Sequence, residues 1–514
     1  MLNSFLEKKI KNKLNLLSVL HSKNIIPIDE VLTSVKVSKI SLISLINEMN
    51  IDFDGLAFIE NSHSYISLSK YDNVDFFRLS HTIYKNSIVL RCLKFLILND
   101  DEISFYSFID SEFITKSVAY RIRKDCKNYL NAIGLDIKNN KVYGDEYRIR
   151  FLIALLHYKY GLNFYDIYDY SLDTVRNFIL STNDVIDLNY IEQTTNEYGY
   201  FEYLLILSWK RKDYSMKIPY NKTFEKLKHL FIYNSIIEKI KDIIEPSLNI
   251  TFSNDDYDYI YLVYLCTNSC IFADKWTKEA ISEVHEIVFS NSSFSNLLHM
   301  IAKEFGLYLE DSHALKVSII YFFKKCLFEL QCIIPDKNFF VFSEQDPLTN
   351  TIINRLSNLL TDWRKFNNIK YTIDKEHIIY LSLQLKFIIR QYMKPVEVFI
   401  LSDLNAELEI MSLYLNRTFS KDRIHINPKL INAQNINFLI TQKNSVIITH
   451  KKFEPMLKSL NLDSSNTIIG ITVEMTGFEM FSIQKSINIS ERNIFLDFIK
   501  NSWYKNKSLL WLKY

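Results

Sequence analysis

The chain has 514 residues, 48% of them hydrophobic and 23% charged, with a formal net charge of +2. That balance describes several folded domains of roughly 100–150 residues and excludes a disordered chain; no run reaches the ~18 apolar residues that span a bilayer. Its eight glycines, all solitary, are roughly a fifth of the usual ~7%, which argues against P-loop and dinucleotide folds, where clustered glycines bring the backbone close to phosphate.

The N-terminal Met1-Leu-Asn-Ser-Phe-Leu-Glu-Lys-Lys sets its charge after the apolar residues and lacks a small-residue cleavage site, so it is not read as a signal peptide. A helix is expected over 5–20, a short one from Ile28 to Ser34 and a third from Ser38 to Asn50. Leu56–Ile59 and Tyr65–Leu68 then flank a turn and read as a hairpin wing. The pattern returns with helices over 75–86, 87–98, 105–109 and 116–133, a stop at Gly134, and a second wing around Asn139-Asn140. Residues 150–392 are helical by period, with a division near 285. After Pro395, strands at Val396–Leu401, Ile436–Ile440 and Ser445–Thr449 alternate with a helix over 403–419, the pattern of a small α/β domain.

The six cysteines, Cys92, Cys126, Cys266, Cys270, Cys326 and Cys332, form no Cys-x-x-Cys pair and have no histidine at zinc-finger spacing. Cys266 and Cys270 share a face of an apolar helix, and the set reads as buried free thiols in a reducing cytoplasm. No metal or cofactor is expected.

Because the net charge is close to zero, a field that attracts a polyanion must be local. Between 114 and 150 there are nine basic residues, including Arg148 and Arg150, and four acids, a net charge of +5 against +2 for the whole chain. On a helical wheel Val118, Ile122, Cys126, Tyr129 and Ile133 form a core face. Tyr120, Lys124 and Lys127 point the opposite way, Arg121 and Arg123 flank them, and Lys116 and Ser117 open the helix. Such a face suits a major groove, where Arg and Lys bond guanine edges or phosphates. Lys138 and Lys141 flank the wing turn, within reach of neighbouring phosphates. On the third helix of the first unit Leu42, Leu45, Ile46 and Met49 face inward; Lys39, Ser41, Ser44 and Asn47 are candidate DNA contacts, opposed by the acid Glu48. The competing reading for the helix from Lys116 is an ordinary solvated surface, and for the first unit a purely structural mate.

The stretch from Ser117 to Ile137, followed by Val142-Tyr-Gly-Asp-Glu-Tyr-Arg-Ile-Arg-Phe-Leu, resembles the second helix-turn-helix of the Mga/AtxA family of Gram-positive transcription regulators, many of which control virulence genes. The resemblance implies a mainly α, multidomain chain: winged helix-turn-helix units at 1–70 and 71–160, all-helical sugar-phosphotransferase regulation domains (PRDs) at 161–285 and 286–393, and an EIIB-like α/β domain at 394–514. It also implies histidine phosphorylation by phosphocarrier proteins. Asp311-Ser-His-Ala-Leu-Lys resembles a first-histidine segment and makes His313 a candidate; in the later segment Gln384 stands at the histidine position, with His377 two turns earlier on the same face. The corresponding segments of the first PRD contain no histidine, and His229 is out of pattern. The loop Leu401-Ser402-Asp403-Leu404 lacks the reactive cysteine of phosphotransfer relatives, so dimerisation or signal relay is the implied role of the C-terminal domain.

The expectation is a cytoplasmic, homodimeric regulator that binds double-stranded DNA and no membrane. The alternatives are a scaffold linked to the phosphotransferase system without DNA binding, an RNA-binding antiterminator, which calls for a β-rich N-terminal module, and an enzyme of sugar-phosphate metabolism, for which no nucleophile–base pair or phosphate loop is found.

Overall fold

The computed structural model describes residues 1–510 except 24, 63, 73, 101–102, 168, 183–194, 268–270, 273–274, 337–345, 432–435 and 473–475. The chain forms two compact units, the first comprising Met1–Asn291, Ile320–Ser343 and Ile369–His377, the second Ser292–Ile319, Glu344–Asn368 and Ile378–Tyr514.

In the first unit, α1 (Lys8–Ser22), α2 (Ile28–Val35) and α3 (Lys39–Asp52) pack through Ile10, Leu17, Leu20, Val31, Leu45 and Met49, all buried. The expected wing is present as β2 (Ala57–Asn61) and β3 (Tyr65–Lys70), but the sheet has a third member, β1 (Ile25–Pro27), in the order β1-β3-β2. Residues Ile25-Ile-Pro were too few to show alternation, and pairing with β3 (Ile26 opposite Ile66) creates the strand. His63, in the wing turn, lies outside the described residues.

A second copy of the arrangement follows: α4 (Phe76–Lys85), α5 (Ile88–Leu98), α6 (Phe105–Ser111), α7 (Lys116–Ala132), then β4 (Asp136–Lys138) and β5 (Lys141–Tyr143). Asn139 and Asn140 have φ of 49° and 57° and make the two-residue turn of that hairpin, which needs positive φ at both centres. Gly134 (φ 83°) is required twice over, because a Cβ there would lie 2.5 Å from the Tyr371 hydroxyl.

The next helix, α8 (Glu146–Tyr160), is buried on almost every side. The sequence count treated Arg148 and Arg150 as part of the surface charge, and the structure corrects this: they are 4% and 0% exposed. Arg148 donates to the carbonyls of Ile133 (2.9 Å), Phe328 (2.7 Å) and Glu329 (3.2 Å). Arg150 reaches the Glu146 carboxylate at 3.0 Å and the Arg211 carbonyl at 2.9 Å, and Arg211 itself binds Glu146 through two nitrogens at 2.6 and 2.9 Å. Around these, α9 (Asp169–Ser181), α10 (Thr195–Lys210), α11 (Lys222–Lys228), α12 (Phe231–Lys239), α13 (Glu245–Leu248), α14 (Asn254–Cys266) and α15 (Lys278–Phe289) build the helical part of the unit. Cys266 closes α14, and Cys270 lies outside the described residues; Cys92, Cys126, Cys266 and Cys332 are buried free thiols and Cys326 is half-buried.

The second unit contains α16 (Ser292–Phe305), the start of α17 (His313–Cys326), α18 (Pro347–Phe366), most of α19 (Lys375–Arg390) and a four-stranded parallel sheet. Its strands are β6 (Val396–Ser402), β7 (Ile424–Leu430), β8 (Val446–His450) and β9 (Thr467–Ile471), ordered β7-β6-β8-β9, with helices α20 (Asn405–Thr418), α21 (Glu454–Lys458) and α22 (Gly477–Leu510). The strand expected at Ile436–Ile440 is instead a 3₁₀ turn, Ile436–Thr441, and β7 takes the place beside β6. Pro428 explains why β7 is hard to read: it removes a ladder donor and is tolerated because β7 is an edge strand.

Removing the Glu146 carboxylate leaves two buried guanidinium groups short of a counter-charge. Glu146→Ala is expected to destabilise the full chain by about 3–5 kcal/mol in urea unfolding; a loss below about 1 kcal/mol would contradict this account of the joint.

Candidate nucleic-acid interface

Helix α7 follows α5 and α6 as the last helix before the wing in the second winged helix-turn-helix, which α4 precedes. Thr115 caps its start, the Oγ1 accepting from the Val118 N–H at 3.5 Å. Ala119, Ile122, Cys126, Tyr129 and Leu130 are buried, with the Cys126 thiol 3.7 Å from the Val89 carbonyl of α5. That anchoring turns Lys116, Ser117, Tyr120, Arg121, Lys124 and Lys127 outward, all exposed. Arg121 and Lys124 make no ion pair with a described residue. Lys127 has a loose partner in Asp136 at 3.6 Å, and Lys116 lies 4.9 Å over the Tyr106 ring.

Arg123 is in a different position. It is half-buried, donates to the Asn140 side chain at 3.0 Å and lies 5.5 Å over the Phe105 ring, so it ties the helix to the wing turn. Asn99, unmarked by any sequence motif, completes the brace: buried, it donates to the carbonyls of Ile103 and Asn140, each at 3.0 Å. A buried amide between two loops has no signature in the sequence. On the wing, Lys138 is exposed and packs 3.6 Å over Tyr143, whereas Lys141 is already committed to Asp100 at 2.5 Å.

The face of α3 in the first unit is weakly charged. Lys39, Ser41, Ser44 and Asn47 are exposed, beside Ile40 at 83% exposure. The Ser41 hydroxyl is 2.9 Å from that of Ser38, the capping residue. Glu48 is countered by Lys9 (2.7 Å) and Lys13 (3.1 Å), so the opposing acid is neutralised.

The two candidate histidines have different environments. His313 is exposed at the start of α17. His377 is 1% exposed; its Nδ1 lies 3.1 Å from Asp336, which also binds the Lys325 ammonium, and its Nε2 meets no hydrogen-bond partner among the described residues. In the second unit, the loop after β6 places Ser402 against Glu407, whose other partner is His450 Nε2 at 2.7 Å, and Asp403 against Lys452 at 2.8 Å.

Two winged helix-turn-helix units, the second with an outward cationic helix, define a DNA-binding regulator. Residues 72–157 match the Mga helix-turn-helix domain, and residues 171–388 match the M protein trans-acting positive regulator (MGA) PRD domain. The chain belongs to this family of Mga-type transcription regulators and carries its DNA-binding and PRD modules in order. A search of curated proteins finds no match. Among the described residues no helix is long and apolar enough to cross a membrane.

Burial raises the Asp336 carboxyl, but the His377 hydrogen bond and the Lys325 charge outweigh it and hold the group at about 2. Its folded value is below the unfolded one near ~3.9, so its stabilisation, about 2 kcal/mol, is present above pH 4 and lost as the pH falls toward 2. Unfolding midpoints of the wild type and Asp336→Asn at pH 6 and pH 2.5 test this. The gap between them should shrink in acid; a constant gap would contradict it.

Proposed function

We propose that the protein reads promoter DNA through α7 and acts as a cytoplasmic, homodimeric activator of the virulence-regulator type that its family resemblance implies. The observation that carries this reading is the exposed row Lys116, Tyr120, Arg121, Lys124 and Lys127, set opposite the buried Ala119, Ile122, Cys126, Tyr129 and Leu130. In this reading Arg121 and Lys124 meet base edges or phosphates, Tyr120 packs on the sugar-phosphate wall and Lys138 touches phosphate beside the groove. Arg123 and Lys141 hold the wing in place, and Lys39, Ser41 and Ser44 give an auxiliary contact. The modules are taken as 1–70, 71–160, 161–285, 286–393 and 394–514, the last as the EIIB-like domain.

For self-association, support comes from α20. Leu408, Met411 and Leu415 bury one side of it, while Ile410, Leu413 and Tyr414 on the other side are 58%, 67% and 46% exposed. An apolar stripe at positions i, i+3 and i+4 on a solvated helix face is suited to a second copy. Phosphocarrier proteins of the sugar phosphotransferase system are the proposed source of regulation, with His313 as acceptor: it is exposed, and a helix N-terminus favours the added negative charge. His377 becomes accessible to a phosphoryl donor only if its pair with Asp336 opens.

Fluorescence polarisation with duplexes from the upstream region, titrated across salt, tests the DNA reading. Arg121→Ala and Lys124→Ala should each weaken binding by about 1–3 kcal/mol and flatten the salt slope; unchanged binding in both would overturn the assignment of α7. Light scattering tests the dimer: Leu413→Glu should give monomers where the wild type gives dimers, and a wild-type monomer or a dimeric variant would contradict it.

A further inference from the structure

The N-terminal half contains a cleft that DNA reading does not use. Arg78, His81, Thr82 and Lys85 are spaced i, i+3, i+4 and i+7 along α4 and form one wall. The last turn of α8 and the segment after it, with His157, Tyr158, Gly161 and Asn163, form the other, and Leu56 and Phe77 supply apolar surface. The volume is about 450 Å³, within the range of small-molecule sites.

The lining contains cations and no acid. Neither Arg78 nor Lys85 forms an ion pair with a described residue. Asp75, the nearest carboxylate in sequence, caps the start of α4, accepting from the Arg78 backbone N–H at 2.7 Å, and its charge is also felt by His81. The histidines act as neutral walls. His81 Nε2 donates to the Tyr158 carbonyl at 3.1 Å, and His157 stacks on Tyr203 at 3.7 Å while its Nδ1 donates to the Leu162 carbonyl at 3.0 Å. Burial lowers both, His157 to about 4. Gly161 keeps the wall in place, because a Cβ there would lie 2.6 Å from the His81 ring.

We propose that this cleft binds a phosphorylated small metabolite, with Arg78 and Lys85 taking its phosphate groups and Phe77, Leu56 and Tyr158 packing on its carbon frame. Arg supplies the planar fork that matches phosphate oxygens. Lys85 lies seven residues on, about 10 Å along the helix axis, a span suited to a sugar carrying phosphate at both ends. Leu56 precedes the first wing, whereas α4 and the end of α8 belong to the second winged helix-turn-helix, so the ligand bridges the two DNA-binding modules. Occupancy would thereby fix one unit against the other.

Calorimetric titration of the full chain in chloride buffer, without DNA, tests this with fructose 1,6-bisphosphate, glucose 6-phosphate, inorganic phosphate and glucose. A sugar phosphate should bind at least tenfold more tightly than inorganic phosphate, glucose should not bind, and Arg78→Ala with Lys85→Ala should weaken binding at least tenfold. Both side chains are exposed, so the double variant should retain the wild-type circular dichroism spectrum. Inorganic phosphate binding as tightly as the sugar phosphates would support the anion site and make free phosphate its ligand. No binding by any phosphate, or binding unchanged in the double variant, would overturn the proposal.

Discussion

Glu146 is a single carboxylate buried against two guanidinium groups, those of Arg150 and Arg211, and the arrangement of the N-terminal half depends on it. One negative charge does not neutralise two positive ones. The remainder is spread over the Arg211 carbonyl, the Tyr165 hydroxyl at 2.8 Å from Arg211, and the faces of Tyr259 and Tyr214, 4.8 and 3.8 Å from the Arg150 and Arg211 guanidinium carbons. Arg148, on the same helix, adds three backbone carbonyls that span the end of α7 and the segment at 328–329. The helix that follows the second wing is therefore bolted into the helical module by charge-assisted hydrogen bonds, which fix geometry more strictly than apolar packing.

This division of basic residues explains how a nearly neutral chain presents a cationic helix. Within one stretch of about 35 residues, some arginines turn inward to carbonyls and a carboxylate, Arg123 and Lys141 brace the wing, and Arg121, Lys124, Lys127 and Lys138 remain exposed. Rigidity matters because reading a base edge needs the helix held at a defined depth and angle in the groove. The buried set supplies that rigidity and the exposed set supplies the field. The Glu-Tyr-Arg-Ile-Arg run within the family resemblance is thus largely structural, and the exposed cationic residues of α7 precede it.

The sequence was legible wherever local rules decide. The helix-turn-helix helices, the Gly134 stop and the Asn139-Asn140 turn follow from periodicity and backbone preference, and the outward face of α7 follows from its apolar positions. It was opaque wherever partners distant in sequence decide. Strand β1 exists only through β3, and β7 hides a proline that only an edge position permits. The Ile436–Ile440 run resembles a strand yet forms a 3₁₀ turn. Counting charges between 114 and 150 assigned Arg148 and Arg150 to the surface. A signal was available in the unbroken apolar surroundings Phe151–Leu156, because a helix apolar on every side is buried and takes its arginines with it. The cleft along α4 was not visible at all, since its walls come from three separated segments.

The most direct test of the central claim is site-specific photocrosslinking to a promoter duplex. A benzophenone amino acid would replace Tyr120 on α7 or, as a control, Tyr220, which at 80% is more exposed than Tyr120 at 48%. If α7 lies in the groove, irradiation crosslinks DNA from position 120 and not from position 220, and high salt abolishes the product. Equal crosslinking from both positions, or none from position 120 in a complex that still binds DNA, would contradict the account.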